Sequence, residues 1–150
     1  MRFASHWRCI VYHAVVRAKV RRLWERVGAG DHLAAVRLAA PDVRFKFVGE
    51  PPLGAEFTGR DRLEQWFRGM QEVLPGLRIT LVDVVVRGWP WRTTVVTRLT
   101  MAGTLADGGE YRNEGVQWVT LKWGRMVDDY VLEDTARLAE ALRGRTGSPA

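Results

Sequence analysis

Asn113 and Gln117 lie four residues apart, as do Asp129 and Glu133, and all four fall within one stretch, Tyr111 to Asp134 (YRNEGVQWVTLKWGRMVDDYVLED). In extended chain an even spacing places side chains on one face, so the stretch can present a row of amides beside a row of acids. A sheltered carboxylate can take up or deliver a proton, and amides can orient a carbonyl group. Taken alone, the pattern fits a pocket wall and a solvated sheet face equally well.

The two rows become neighbours only if the stretch folds back on itself. Two alternating runs, Tyr111–Leu121 and Arg125–Leu132, flank Lys122-Trp123-Gly124, whose glycine supplies the positive φ that a tight hairpin needs. This hairpin is the best strand pair in the chain, and the remaining elements have to close around it.

At 150 residues and 47% hydrophobic, the chain has material for one domain with one sizeable core. Cys9 is the only cysteine, which excludes an internal disulfide and suits a reducing compartment, so a cytoplasmic location is expected. The N-terminal apolar run is short, is interrupted by His13 and leads into basic residues, unlike a signal peptide. No run approaches the roughly 18 apolar residues of a membrane span. The net charge of +6 is carried almost wholly by arginine, yet the densest basic run, Arg17 to Arg22, lies inside a helical pattern with no aromatic residue interleaved. Neither a nucleic-acid partner nor a membrane is therefore expected.

Val16, Val20, Leu23, Trp24 and Val27 keep helical spacing, and Gly28-Ala29-Gly30 ends that first helix. Asp31 is placed to cap a short second helix that Pro41 halts. Asp42–Val48 alternates as a strand with Val43, Phe45 and Phe47 on one side, and Gly49–Phe57, with Pro51, Pro52 and Gly54, reads as an irregular loop of the kind that borders sites. Thr58-Gly59-Arg60-Asp61 has the spacing of a capping box ahead of an amphipathic helix carrying Leu63, Trp66, Phe67, Met70 and Leu74. Strands over Leu77–Arg87 and Thr93–Met101 precede the hairpin, and a last helix covers Thr135–Leu142. Helices segregated from a mainly antiparallel sheet define an α+β class.

In its motifs the chain resembles the SnoaL-like branch of the nuclear transport factor 2 superfamily, which includes ketosteroid isomerase, limonene epoxide hydrolase and polyketide cyclases. The resemblance is carried by Gly28-Ala29-Gly30-Asp31, Ala40-Pro41-Asp42-Val43, Phe57-Thr58-Gly59-Arg60-Asp61, Tyr111 to Gly115, Gly124 to Val127 and Leu132 to Thr135. It implies a single α+β domain over residues 14–142, with a curved, mainly antiparallel sheet wrapped over the N-terminal helices as a cystatin-like cone. An apolar cavity lies inside such a cone, and a homodimer is common. Residues 1–13 are then an N-terminal extension and residues 143–150 a tail, both expected to be flexible.

Of the isomerase site little carries over: its base aligns near Phe47, its tyrosine near Leu23 and its second acid near Gln117. The epoxide-hydrolase set aligns near Val96, Arg98 and Val131 and is also absent. What the resemblance places inside the cone is a different set. Asp129 would be a general acid or base and Arg98, opposite it, would hold a carboxylate or oxyanion. Asn113 and Gln117 would orient a carbonyl, with Tyr111 and Glu133 nearer the ends and Phe45, Phe47, Trp66 and Val131 lining the apolar part. The alternative is a structural Asp129–Arg98 ion pair.

Other residues offer less chemistry. His6, Cys9 and His13 supply three metal ligands at most, on a terminal segment outside the resemblance, so no metal site is expected. Ser5 and Ser148 are the only serines and both are terminal. His32 lacks a visible acid partner, Asp134 suits the cap of the last helix, and no glycine-rich phosphate cradle is present. The expectation is a protein that binds a small, largely apolar molecule, without a cofactor, and either isomerises, cyclises or hydrates it or merely holds it. A cavity filled by Phe45, Phe47, Trp66 and Trp118 would favour the second. The outer sheet face, with Val116 and Trp118, is the expected dimer surface.

Overall fold

The computed structural model describes residues 2–105 and 107–146, with side chains for 7–105 and 107–143. Helix α1 (Arg2–Gly28) and the short α2 (Ala34–Leu38) lead into strand β1 (Ala39–Phe47) and the short β2 (Ala55–Thr58). Helix α3 (Arg60–Val73) follows, then β3 (Arg78–Trp89), β4 (Arg92–Thr104), β5 (Glu110–Lys122), β6 (Arg125–Glu133) and α4 (Thr135–Thr146). The strands form one curved, unclosed sheet in the order β2-β1-β6-β5-β4-β3. Only the β1–β6 pair is parallel. The α+β expectation holds.

Burial follows the strand period. Val95, Thr97, Leu99 and Met101 of β4 face inward with Tyr111, Asn113, Gln117, Val119 and Leu121 of β5, all buried. Helix α1 packs along β3 and α3 across β1, closing the concave side. The β5–β6 hairpin turns at Trp123 (φ 51) and Gly124 (φ 78), two consecutive left-handed residues as a type I′ turn requires. One residue of β6, Val127, is bulged, because Leu121 pairs with Met126 and Thr120 with Asp128. The bulge lets both Met126 and Asp129 face the core although they are three positions apart, an odd spacing that regular strand would put on opposite faces.

Several local expectations are corrected. The segment expected to be irregular contains β2, which pairs with β1 from Arg44↔Thr58 to Phe47↔Ala55. No capping box forms: Gly59 (φ 118) is the N-cap of α3 and no side chain bonds there. Asp31 does not cap α2 either, since its carboxylate is held by Arg26 and Arg37. The last helix reaches Thr146 rather than Leu142, and residues 147–150, the end of the expected tail, lie outside the described residues.

The first helix is longer than its apolar spacing suggests: the helical conformation continues without a break from Gly28 back to Arg2. Two side chains tie it to the β3–β4 turn: His13 Nε2 donates to the Gly88 carbonyl at 2.8 Å, and Tyr12 Oη lies 2.5 Å from Thr93 Oγ1. Thr93 spends its own hydroxyl hydrogen on the Trp89 carbonyl, so Tyr12 is the donor to Thr93. Tyr12→Phe removes one such bond to a buried acceptor and is expected to cost about 1 kcal/mol in urea unfolding. Deletion through His13 is expected to cost more than that, and a truncated chain as stable as the intact one would show that these bonds do not anchor the helix.

Candidate functional site

Asp129 is 1% exposed, in the middle of β6 with Phe45 of β1 and Val119 of β5 as its cross-strand neighbours. Its Oδ2 accepts from Gln117 Nε2 at 3.1 Å, while its Oδ1 is buried without a partner. Gln117 in turn accepts through Oε1 from the Thr97 hydroxyl at 3.4 Å. The three therefore form a directed chain, Thr97 to Gln117 to Asp129, running from β4 through β5 to β6. Removal from water disfavours the carboxylate and pushes the Asp129 pKa up to about 7. The Gln117 bond opposes that rise and the negative charge of Asp128 adds to it.

A second polar group sits further along the same sheet face. Asn113 Nδ2 shares its two hydrogens among Tyr111 Oη at 2.9 Å, the Asp134 carbonyl at 3.1 Å and Glu133 Oε2 at 3.4 Å. Burial raises Glu133 to about 7. Burial also raises Tyr111 to about 12, against the Asn113 bond and with the help of Glu133 and Asp134, so this phenol remains protonated. Gly115 makes room for the acid: a Cβ there would meet Glu133 Cγ at 2.8 Å and the Leu132 carbonyl oxygen at 2.9 Å. Asp134 caps α4 by accepting from the Ala136 and Arg137 amides, as expected.

The placement of Arg98 is corrected. It is exposed on the outer face, opposite Asp83 of β3 and Val116 of β5, so no Asp129–Arg98 pair exists. A shift of one residue exchanges the faces of a strand, and the inward residue is Thr97. Composition carried this signal: Val95, Leu99 and Met101 share the parity of Thr97, whereas Arg98 and Thr100 share the other. Nothing in the sequence marked Thr97 or Gly115 as site residues, because threonine is ordinary in strands and the need for a glycine appears only once Glu133 is in place.

The expected pocket lining is redistributed as well. Phe45, Phe47 and Trp66 pack on one another, with ring centroids 4.7 Å apart for Phe45–Trp66 and 5.3 Å for Phe47–Trp66, and Phe57 and Phe67 complete the cluster. Trp118 lies on the outer face rather than in the core. Among the described residues, a cleft of about 40 Å³ lies between the helices and the sheet, lined by Leu23 and Trp24 of α1, Leu38 of α2, and Val95, Thr97 and Gln117. Of the expected residues only Gln117 lines it, while Val131 is half-buried. Drug-sized ligands occupy roughly 300–1,000 Å³, so a molecule of that size would enter only by displacing part of this lining. Among the described residues no group of side chains is placed to hold a metal, and the His6 side chain of the His6, Cys9 and His13 set lies outside them. No described helix is long and apolar enough to cross a membrane.

A family model described as a SnoaL-like domain matches residues 20–129. Among curated proteins none matches the sequence. Several solved structures share the fold. TerC, crystallised with polyporic acid, superposes with a TM-score of 0.71 at 20% identity, covering 85% of this chain and 97% of that one. A nuclear transport factor 2-like protein of unknown function from Burkholderia pseudomallei gives 0.70 at 23% identity, over 84% and 95% of the two chains. IdmH from Streptomyces antibioticus, a candidate polyketide cyclase, gives 0.62 at 21% identity, over 81% and 93%.

The raised pKa of Asp129 has a consequence for stability. Its value in the folded protein, about 7, lies above the ordinary 3.8, so between those two values the native state holds a proton that the unfolded chain has lost. The stabilisation is complete below about pH 4, declines as pH rises towards 7 and then levels off, a loss of roughly 4 kcal/mol. Asp129→Asn keeps the shape and an acceptor for Gln117 but cannot ionise. Its stability relative to the parent is expected to rise by several kcal/mol between about pH 5 and about pH 8, measured by urea unfolding. An unchanged difference across that interval would show that Asp129 titrates normally.

Proposed function

Because the chain belongs to the SnoaL-like domain family, we propose that it binds a small, largely apolar carbonyl compound related to polyketides and moves a proton on it without a cofactor. The observation that carries this reading is the free Oδ1 of Asp129, a buried carboxylate oxygen with no partner on a group poised near neutral pH. A general base works best with a pKa near the working pH, and it needs an accessible lone pair once substrate has arrived.

In this reading Asp129 Oδ1 takes a proton from a carbon flanked by carbonyl groups, leaving an enolate. The enolate carbon attacks a second carbonyl of the same molecule and forms a carbon–carbon bond. The resulting alkoxide recovers the proton from Asp129, so atoms and charge balance and the net change is a ring closure. The Thr97–Gln117 chain fixes the Asp129 carboxyl, which makes both of them positioning residues. Arg98 has no part in the reaction. Leu23, Trp24 and Leu38 form the apolar cover that excludes water and yields to the substrate.

A non-catalytic holding role is the second reading, and the small cleft beside the packed Phe45, Phe47 and Trp66 cluster favours it. The two separate on Asp129→Asn. In the catalytic reading, turnover of a poly-keto substrate panel rises with pH through about 7 in the parent and falls by about 10²-fold or more in the variant, with ligand affinity by calorimetry little changed. Asp128→Asn is the control, because Asp128 faces outward and pairs with Arg44 at 2.7 Å. Ligand binding without turnover in the parent would leave only the holding role.

We also propose a homodimer through the outer sheet face. There Val85, Val96, Trp118 and Tyr130 stand opposite one another in a row across β3 to β6. Val85 is 57% exposed, Trp118 45% and Tyr130 40%, a large apolar patch for a free surface. Trp118→Asp is expected to give monomer by sedimentation at micromolar concentration where the parent is dimer. A monomeric parent would overturn the assignment.

A further inference from the structure

The sheet end that carries the β3–β4 and β5–β6 turns is unlike the rest of the surface. The turns meet there: the Trp123 amide donates to the Pro90 carbonyl at 2.6 Å. Trp89 and Trp91 stack with centroids 5.8 Å apart, and Trp123 lies 6.4 Å from Trp91. Trp91 is 56% exposed and Trp123 73%. The Tyr12 and His13 bonds to this end set the first turns of α1 beyond it. That segment carries Trp7, Ile10, Val11, Ala14 and Val15, all exposed and at helical spacing, on a side distinct from the Val16, Val20 and Val27 side that packs on the sheet.

The charged residues on these two turns and on α1 before Glu25 are all basic. Arg92 begins β4, Lys122 and Arg125 flank the Trp123-Gly124 turn, and Arg8, Arg17 and Lys19 lie on α1. The sequence has no aspartate or glutamate before Glu25, between Asp83 and Asp107, or between Glu114 and Asp128. Asp31, on the α1–α2 connection, is already held by Arg26 and Arg37.

From this juxtaposition we infer that the end formed by the Trp89, Trp91 and Trp123 turns and the first half of α1 docks on an anionic lipid surface. Tryptophan suits the boundary between headgroups and acyl chains, and a basic helix with an apolar stripe lies in that plane. Each Lys or Arg near an anionic leaflet adds about 1 kcal/mol of attraction. Charge excludes a second copy of this end as the occupant, because arginine would meet arginine. The aliphatic Ile10, Val11 and Val15 favour hydrocarbon over nucleic acid, whose bases stack on rings. No membrane was expected from a basic run without interleaved aromatic residues and a chain without a span, but peripheral docking needs no span, and the fold supplies the aromatic residues from the two turns.

Co-sedimentation of the full chain with phosphatidylglycerol-containing vesicles tests this, with pure phosphatidylcholine vesicles and a single-stranded oligonucleotide as the other arms. Expected are binding to the anionic vesicles that weakens as salt rises, little binding to the neutral ones, and quenching of tryptophan emission by brominated acyl chains. Two separate variants address the surface without touching the core. Trp91→Ser with Trp123→Ser removes the apolar tips, and Arg92→Glu with Lys122→Glu reverses charge; each is expected to lower partition onto anionic vesicles by at least about tenfold. Absence of vesicle binding by the parent, equal binding to neutral vesicles, preference for the oligonucleotide, or unchanged binding by the charge-reversal variant would each overturn the inference.

Discussion

A carboxylate with one hydrogen bond in an apolar interior is the constraint on which the rest of this structure depends. An ionised Asp129 with Oδ1 unpaired would carry a desolvation penalty that no neighbour offsets, so near neutral pH the group sits between its two protonation states. That condition dictates the orientation of its surroundings. Gln117 must turn its NH₂ towards Asp129, its carbonyl oxygen is thereby turned away, and Thr97 has to supply the hydrogen for it. The bulge at Val127 is part of the same arrangement, because it fills the space below Asp129 with Met126 and still leaves the acid facing inward.

Helix α1 covers the cleft lined by Gln117, the hydrogen-bond donor to that acid. It is fixed at one end by the Tyr12 and His13 bonds and at the other by close packing, where even a Cβ on Gly28 would lie 3.3 Å from the Ile79 carbonyl oxygen. Between these points Val20, Leu23 and Trp24 meet the cleft through apolar contacts alone. Such contacts are non-directional and can be exchanged for those of an apolar ligand at little cost. A closed cleft and a ligand-binding function are therefore compatible, provided that the ligand replaces the side chains it displaces with surface of the same kind.

Much of this was legible in the residues. The hairpin could be read nearly to its ends, because a glycine turn between two alternating runs admits few alternatives, and the shared parity of Asn113 with Gln117 and of Asp129 with Glu133 followed from it, whereas the choice of the inward face came from the resemblance. Arg98 was misplaced because its face rested on alignment to distant relatives, where a single-residue slip reverses every side chain, rather than on the apolar parity of β4 itself. The strand Ala55–Thr58 escaped notice because four residues after a proline pair are too few to show alternation, and its existence depends on β1 offering an edge. The reach of α1 was missed for a different reason. Trp7, Ile10 and Val11 continue the helix on a side unrelated to the core stripe, so a search for one continuous apolar face stops at His13.

The two raised acids on the concave face are not equivalent, although both are displaced to about 7. Glu133 bends over Gly115, accepts from the Asn113 amide and stays half-buried, so water and a neighbouring donor can stabilise its charge. Asp129 has no water-exposed surface to speak of and a single donor, which its neighbours hold in place. Charging Glu133 therefore disturbs only local solvation, whereas charging Asp129 demands a new partner at Oδ1. In the reaction proposed above, a bound molecule with an acidic C–H would meet that demand at Asp129, whereas Glu133 already has its donor.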